Sequence, residues 1–146
     1  MKIGEIALVA SCPIETIRYY EREGLLPPTA RSSGNYRIYS PRHLERLSFI
    51  RRCRSLDMSL GEIRRLFQLR DAGTPDCAAI DDLVSAHLSH VESRMRELRA
   101  LKKQLRELLD ACTSPGRMAA CGVLKGLSTG VAKPGGKVSH LPGTHR

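Results

Sequence analysis

No run of the roughly 18 apolar residues that a membrane-spanning helix requires occurs in this 146-residue chain, so none of it is expected to cross a bilayer. The opening MKIGEIALVA has neither the long apolar core nor the small-residue cleavage pattern of a secretion signal, which makes the cytoplasm the expected compartment. Five cysteines are an odd number, and without an export signal they fit reduced thiols better than a disulfide framework. Cys-x-x-Cys, a nucleotide-binding loop, a Ser/His/Asp arrangement and a free pair of carboxylates are all missing, so an enzyme finds little support. No internal repeat is visible.

Acidic residues are also missing from the last stretch, and this exposes how charge is distributed. Residues 1–71 carry 13 Lys/Arg against 8 Asp/Glu, residues 76–112 carry 6 against 7, and residues 113–146 carry 5 against none, within a net charge of +9. Only the first basic region also has apolar periodicity. A folded basic domain suggests a phosphate backbone as partner.

What is present is organised around Cys77 to Cys112. With Cys77 as a, the a positions of a heptad frame are Cys77, Val84, Val91, Leu98, Leu105 and Cys112, and the d positions are Ile80, His87, Arg94, Leu101 and Leu108. The pattern predicts one long helix burying a seam against another helix. Its two cysteines lie about 52 Å apart at 1.5 Å per residue, too far to share a ligand within one chain. Antiparallel pairing of two such helices about Arg94 and Met95 brings Cys77 of one copy beside Cys112 of the other, at both ends of a homodimer.

Upstream, Ile3, Ile6, Ala7 and Ala10 recur at helical spacing, and a second short helix starts after Ser11-Cys12 with Pro13 in its first turn. Ile14 and Ile17 face inward, while Arg18, Tyr19 and Arg22 point elsewhere, a helix-turn-helix pattern. Gly24 to Pro28 ends that helix. Ser33-Gly34-Asn35 is a turn, and the β-prone Tyr36-Arg37-Ile38-Tyr39 makes a small wing whose Arg and Tyr suit phosphate contacts. Ser40-Pro41 opens a third helix carrying Leu44, Leu47, Ile50, Cys53 and Leu56. Ser59 and Glu62 form a capping box for a fourth, with Leu60, Ile63, Leu66, Phe67 and Leu69. The long helix starts at Thr74-Pro75-Asp76, with Thr74 as the capping hydroxyl, and runs to about Cys112.

The expected fold is mainly α. It comprises a winged helix-turn-helix DNA-binding domain at residues 1–72 and a long antiparallel coiled-coil dimerisation helix at 73–112. A C-terminal metal-binding loop with a short helix follows at 113–127, and a disordered, Gly/Pro-rich tail at 128–146. Cys112 and Cys121 bracket eight residues that can fold back on the helix end, and Cys77 of a partner adds a third thiol. Three thiolates are soft and electron-rich, a donor set that favours lead, cadmium or mercury over zinc, which usually takes a fourth nitrogen or sulfur. Cys12, near the start of the second helix, reads as structural. His87 and His90 stand three apart on one helix face and His140 lies in the tail. They are a candidate second metal site, against which stands a hydrogen-bonded seam role for His87.

ETIRYYEREGLL (Glu15 to Leu26), GNYRIY (Gly34 to Tyr39) and RCRSLDMSLGEIRRL (Arg52 to Leu66), in this order, resemble the MerR family of transcription regulators over residues 3–127. The cysteine placement and the RCRSLDM block look most like its cadmium- and lead-responsive branch. The resemblance implies Arg18, Tyr19, Tyr36 and Arg37 as DNA-facing residues, with Thr16 a weaker candidate, and Cys112, Cys121 and the partner's Cys77 as metal ligands. It also implies a homodimer on double-stranded promoter DNA that untwists an over-long spacer so that RNA polymerase engages. The spacing of Cys112 and Cys121 matches the lead- and mercury-responsive length, and the tail has fewer histidines than cadmium-responsive relatives. The expected effector is therefore Cd(II) or Pb(II), with Hg(II) next and Zn(II) last. A member sensing oxidation through an iron–sulfur cluster would need four clustered cysteines where this chain has two, and a drug-sensing member would carry a larger C-terminal domain.

Overall fold

The computed structural model describes residues 1–74, 76–111 and 121–129. Its elements run α1 (Ile3–Val9), α2 (Ile14–Arg22), β1 (Ala30–Arg31), β2 (Arg37–Ile38), α3 (Pro41–Ser55), α4 (Leu60–Asp71), α5 (Cys77–Asp110) and α6 (Gly122–Thr129). The chain divides into two compact units, 1–89 and 90–146. The first turns of α5 belong to the first unit because Ile80 and Leu83 pack against its core.

That core is built from the periodic apolar positions. Ile6, Ile17, Leu25, Tyr39, Leu47, Ile50 and Ile63 are fully buried. β1 and β2 pair antiparallel, Ala30 with Ile38 and Arg31 with Arg37, as the wing. Ser40 caps α3 by a route the sequence did not announce: its N–H donates to Nδ1 of buried His43 (3.0 Å). With Nδ1 accepting, the His43 Nε2–H donates to the Pro27 carbonyl (3.1 Å), so a neutral imidazole ties the loop before the wing to the start of α3. Leu56 is the exception among the apolar positions of α3. It is exposed because it is the C-cap residue.

Three helices end in the same way. After α2, Gly24 (φ 69°) donates to the Glu21 carbonyl and Leu25 to the Tyr20 carbonyl. These are the paired bonds of a left-handed C-terminal cap. Ser11 (φ 48°) and Asp57 (φ 61°) occupy the same position after α1 and α3, followed by buried Cys12 and Met58 whose N–H groups bond the Ala7 and Cys53 carbonyls. The turn of the helix-turn-helix is thus a cap without glycine. A side chain in left-handed backbone costs about 1 kcal/mol relative to glycine. Ser11→Gly and Asp57→Gly are each expected to raise stability by about 0.5–1 kcal/mol, visible as a higher midpoint in denaturant melts at unchanged m-value.

α5 is capped by Asp76 rather than Thr74: the Asp76 carboxylate accepts from the Ala79 N–H (3.2 Å). No residue of this 34-residue helix is fully buried. Val84, Leu88, Met95, Leu98, Leu101, Leu105 and Leu109 are all exposed. The frame expected from the sequence needs correction here. Ile80 and His87, two of its d positions, are occupied within their own chain, Ile80 by the core and His87 by the contacts described below. The open seam instead combines the a positions Val84, Leu98 and Leu105 and the d position Leu101 with Leu88, Met95 and Leu109, which lie one residue beyond the d positions. Spacings of four and three persist, the pattern of a coiled-coil seam, with the row beyond d taking over at Leu88, Met95 and Leu109. In the second unit, Leu98, Leu101, Lys102, Leu105, Arg106 and Leu109 line an apolar groove on α5.

Candidate DNA interface and metal centre

α2 and the wing carry exposed basic residues of the first unit. Burial of Ile17 and Tyr20 turns Arg18 and Tyr19 outward. Arg18 and Arg37 line two adjoining grooves, one shared with Glu21 and Arg22, the other with Lys2, Asn35 and Tyr36. Tyr36 is 66% exposed, with Lys2 Nζ 5.8 Å from its ring centre. Tyr19 has the Arg22 guanidinium 5.9 Å from its ring. Thr16 is half-buried on the same helix. Arg31 Nη1 donates to Asn35 Oδ1 (2.8 Å), and the Tyr36 N–H donates to Ser32 Oγ (3.2 Å); together they stiffen the wing tip. Expected residues Arg18, Tyr19, Tyr36 and Arg37 therefore all present side chains to solvent. Such a surface suits phosphates, which it can grip through guanidinium and hydroxyl donors. Arg37→Ala is expected to weaken binding on any DNA sequence and to flatten the plot of log affinity against log salt by about 1 for each phosphate charge it leaves unneutralised.

Glu21 was not singled out by the sequence, yet it organises this face. Its Oε1 accepts from the Tyr39 hydroxyl (2.9 Å), and its Oε2 lies 3.8 Å from Arg37 Nε. Burial first, then the Glu21 hydrogen bond and charge, push the Tyr39 phenol up to about 12. The folded state thus prefers the protonated phenol. This contribution to stability is complete below the unfolded value of about 10 and is lost as pH rises toward 12. Alkaline unfolding should fall in that window, and Tyr39→Phe should flatten it in melts taken across pH. Arg51 is a second such residue, its Nη1 donating to the Ala10 carbonyl at the end of α1.

His87 holds α5 to the turn between α3 and α4. Nε2 lies 2.8 Å from the Leu56 carbonyl, an acceptor only, so Nε2 carries hydrogen. Nδ1 lies 2.8 Å from Glu62 Oε2. With Nε2 carrying the hydrogen, a neutral ring leaves these two buried atoms without a donor between them. Glu62 Oε1 meanwhile accepts from the Ser59 N–H (3.3 Å), completing the capping box expected for α4. Both His87 nitrogens are thereby engaged, which favours the hydrogen-bonded role over the ligand role. His90 is exposed, and His140 lies outside the described residues. Among the described residues, no three His, Cys, Asp or Glu side chains cluster to hold a metal.

Of the three expected thiol ligands, Cys77 is exposed at the start of α5 and Cys121 is half-buried immediately before α6. Cys112 lies outside the described residues, as does residue 130 onward of the tail expected to be disordered from Ser128, whereas Ser128 and Thr129 are the last residues of α6, their hydroxyls bonding the carbonyls of Leu124 and Lys125. The Cys121 carbonyl accepts from the Lys125 N–H (3.1 Å), so Cys121 is the cap residue of α6, beside N–H groups that stabilise an anion. Cys12 and Cys53 differ: both are buried, and burial pushes both thiols up, the behaviour of small core residues. No described helix is long and apolar enough to cross a membrane.

The sequence pattern of MerR HTH family regulatory proteins matches residues 1–69, and that of the MerR DNA-binding region matches residues 44–108. An HTH-type transcriptional regulator ZntR homolog of Haemophilus influenzae is 46% identical over 114 residues, covering 78% of this chain and 84% of its own. A mercuric resistance operon regulatory protein of Bacillus cereus is 31% identical over 126 residues, covering 86% and 96%. Among solved structures, the transcription regulator PbrR691 of Ralstonia metallidurans CH34 in complex with lead(II) superposes with a TM-score of 0.78 at 48% identity, covering 87% of this chain and 98% of that one. The winged helix-turn-helix and the long helix beyond it thus have a shared origin: this chain belongs to the MerR family of helix-turn-helix transcription regulators, DNA-binding proteins and not enzymes.

Proposed function

We propose that this metal-responsive regulator senses Pb(II) or Cd(II) in the cytoplasm through Cys112 and Cys121 of one protomer and Cys77 of the other. The observation that carries this reading is the open apolar stripe of α5. Antiparallel pairing about Arg94 and Met95 sets Val84 against Leu105, Leu88 against Leu101 and Val91 against Leu98, three apolar pairs flanking a central Met95–Arg94 pair. That same register sets Cys77 against Cys112. Donor chemistry fits a soft ion: sulfur alone, with Cys121 held at a helix N-terminus where a thiolate is favoured. The lead(II) complex of the 48%-identical neighbour supports lead. Mercury is the runner-up, favoured by the mercuric regulator among the relatives. Zinc comes last, because it calls for a fourth donor.

In this reading the bound ion ties the C-terminal segment of one protomer to the α5 start of the other. The start of α5 is itself fixed to the DNA-binding head by Ile80, Leu83 and His87. Closing the site biases how the two heads are spaced, and operator DNA between them answers by bending and untwisting. A transcription assay on its promoter, with lead, cadmium, mercury and zinc at equal free activity, tests the reading. Activation by lead or cadmium at the lowest activity is expected. Equal or stronger activation by zinc, or none by any metal, refutes it.

A further inference from the structure

The groove between α2 and the loop leading into the wing is lined by the guanidinium groups of Arg18, Arg22 and Arg37 and by a single carboxylate, that of Glu21. By charge alone this carboxylate repels the phosphates that the arginines would attract. It is nevertheless fixed in place. The Glu21 side chain is 16% exposed, and its Oε1 accepts from the Tyr39 hydroxyl. Tyr39 is itself locked: it is fully buried, its N–H donates to the Met1 carbonyl (2.8 Å), and its ring stands edge-on to His43 at 5.5 Å. The second carboxylate oxygen, Oε2, is left to face Arg37 of β2, whose Nε lies 3.8 Å away. That separation allows charge attraction but exceeds a hydrogen bond. Among the described residues the paired Nη donors of Arg37, the end of the guanidinium that matches a phosphate, make no hydrogen bond.

We infer that Glu21 is a positioning residue for DNA binding: held by Tyr39, it draws the Arg37 guanidinium toward α2, so that wing and helix present their cations to the same stretch of phosphate backbone. The ion pair adds little to stability, because Arg37 is half exposed. Its effect lies in entropy, since an arginine otherwise free to sample several rotamers is already placed when DNA arrives. Moving from Glu21 onto a phosphate breaks no hydrogen bond. The carboxylate thus has two opposed consequences, placement that favours DNA and repulsion that disfavours it. Removing Arg37 separates them, because placement vanishes with the guanidinium and repulsion stays. The inference rests on Arg37 as a phosphate contact, which the cycle below tests on its own.

The test is a double-mutant cycle in the full-length protein without metal, read by fluorescence anisotropy on a labelled duplex of its promoter at fixed salt. Glu21→Gln keeps an oxygen for the Tyr39 hydroxyl and removes the charge. It is expected to weaken binding about fivefold with Arg37 present and to strengthen it about twofold in the Arg37→Ala background, with the thermal melt close to that of the parent. Tyr39→Phe frees the carboxylate but keeps its charge. It should weaken binding with Arg37 present and have no effect in Arg37→Ala, and it decides the question should Glu21→Gln lose its cooperative melt. Tighter binding of Glu21→Gln in both backgrounds would make Glu21 a repelling charge alone and overturn the inference. Equal weakening in both would make it a structural anchor, with the same result. If Arg37→Ala by itself left affinity unchanged, the phosphate role of Arg37 would fall and take the inference with it.

Discussion

Replacing Cys121 by serine is expected to lower affinity for Pb(II) or Cd(II) by more than about a hundredfold, since losing even an outer-shell partner of a metal ligand costs about 10–100-fold. Serine keeps the size of the side chain and can still cap α6, so that helix should persist. What it removes is the thiolate. The thiolate-to-metal absorption band should lose intensity and shift as one of three sulfur donors disappears, while the dimer and its affinity for operator DNA without metal remain as before. Cys12→Ser and Cys53→Ser provide the contrast. Their thiols are buried in the core of the first unit and held protonated by that burial, so substitution should leave the absorption band intact. A Cys121→Ser protein binding lead or cadmium as tightly as the parent would remove this cysteine from the site.

Leu98→Glu is expected to dissociate the dimer, and Arg94→Glu is expected to leave it paired. Leu98 is exposed on α5 and belongs to the open stripe, whereas Arg94 occupies a d position of the frame expected from periodicity alone. Burying a leucine is worth about 3 kcal/mol, and a symmetric dimer holds two copies. Losing about 6 kcal/mol raises the dissociation constant by on the order of 10⁴ before the cost of burying the carboxylates is counted. Among the described residues Arg94 makes a partly exposed ion pair with Glu97 at 3.6 Å, an interaction worth less than about 1 kcal/mol. Sedimentation of the two variants over a concentration series separates the frames. Should Arg94→Glu dissociate the dimer as Leu98→Glu does, the seam with Met95 in place of Arg94 would be wrong.

His87 shows why periodicity alone misleads here. Cys77, Val84, Val91, Leu98 and Leu105 repeat every seven residues and anchor either frame. The companion row is ambiguous, because Ile80, Leu101 and Leu108 argue for one set and Leu88, Met95 and Leu109 for the next. Spacing cannot choose between them; a neighbour must. The first unit makes that choice by taking Ile80 and Leu83 into its core and His87 into the Leu56–Glu62 junction. Glu21, Arg51 and His43 were invisible for a related reason. A charged or polar residue that bonds a group 16 to 41 positions away in the chain has no local pattern to betray it. Ser11 and Asp57 stayed hidden because a left-handed cap without glycine carries no compositional mark.

The sequence by itself determined where helices begin and end around Ser40-Pro41 and Ser59–Glu62, which residues enter the core of the DNA-binding head, and that Cys77 stands at the start of the long helix. These depend on capping chemistry and on spacing along a single element, and both are local. Tertiary structure decided which face of α5 stays open for a second copy and where the compact units divide. Those outcomes depend on surfaces brought together from distant parts of the chain, where one residue of helical rotation, about 100°, exchanges a side chain buried in its own unit for one offered to another molecule.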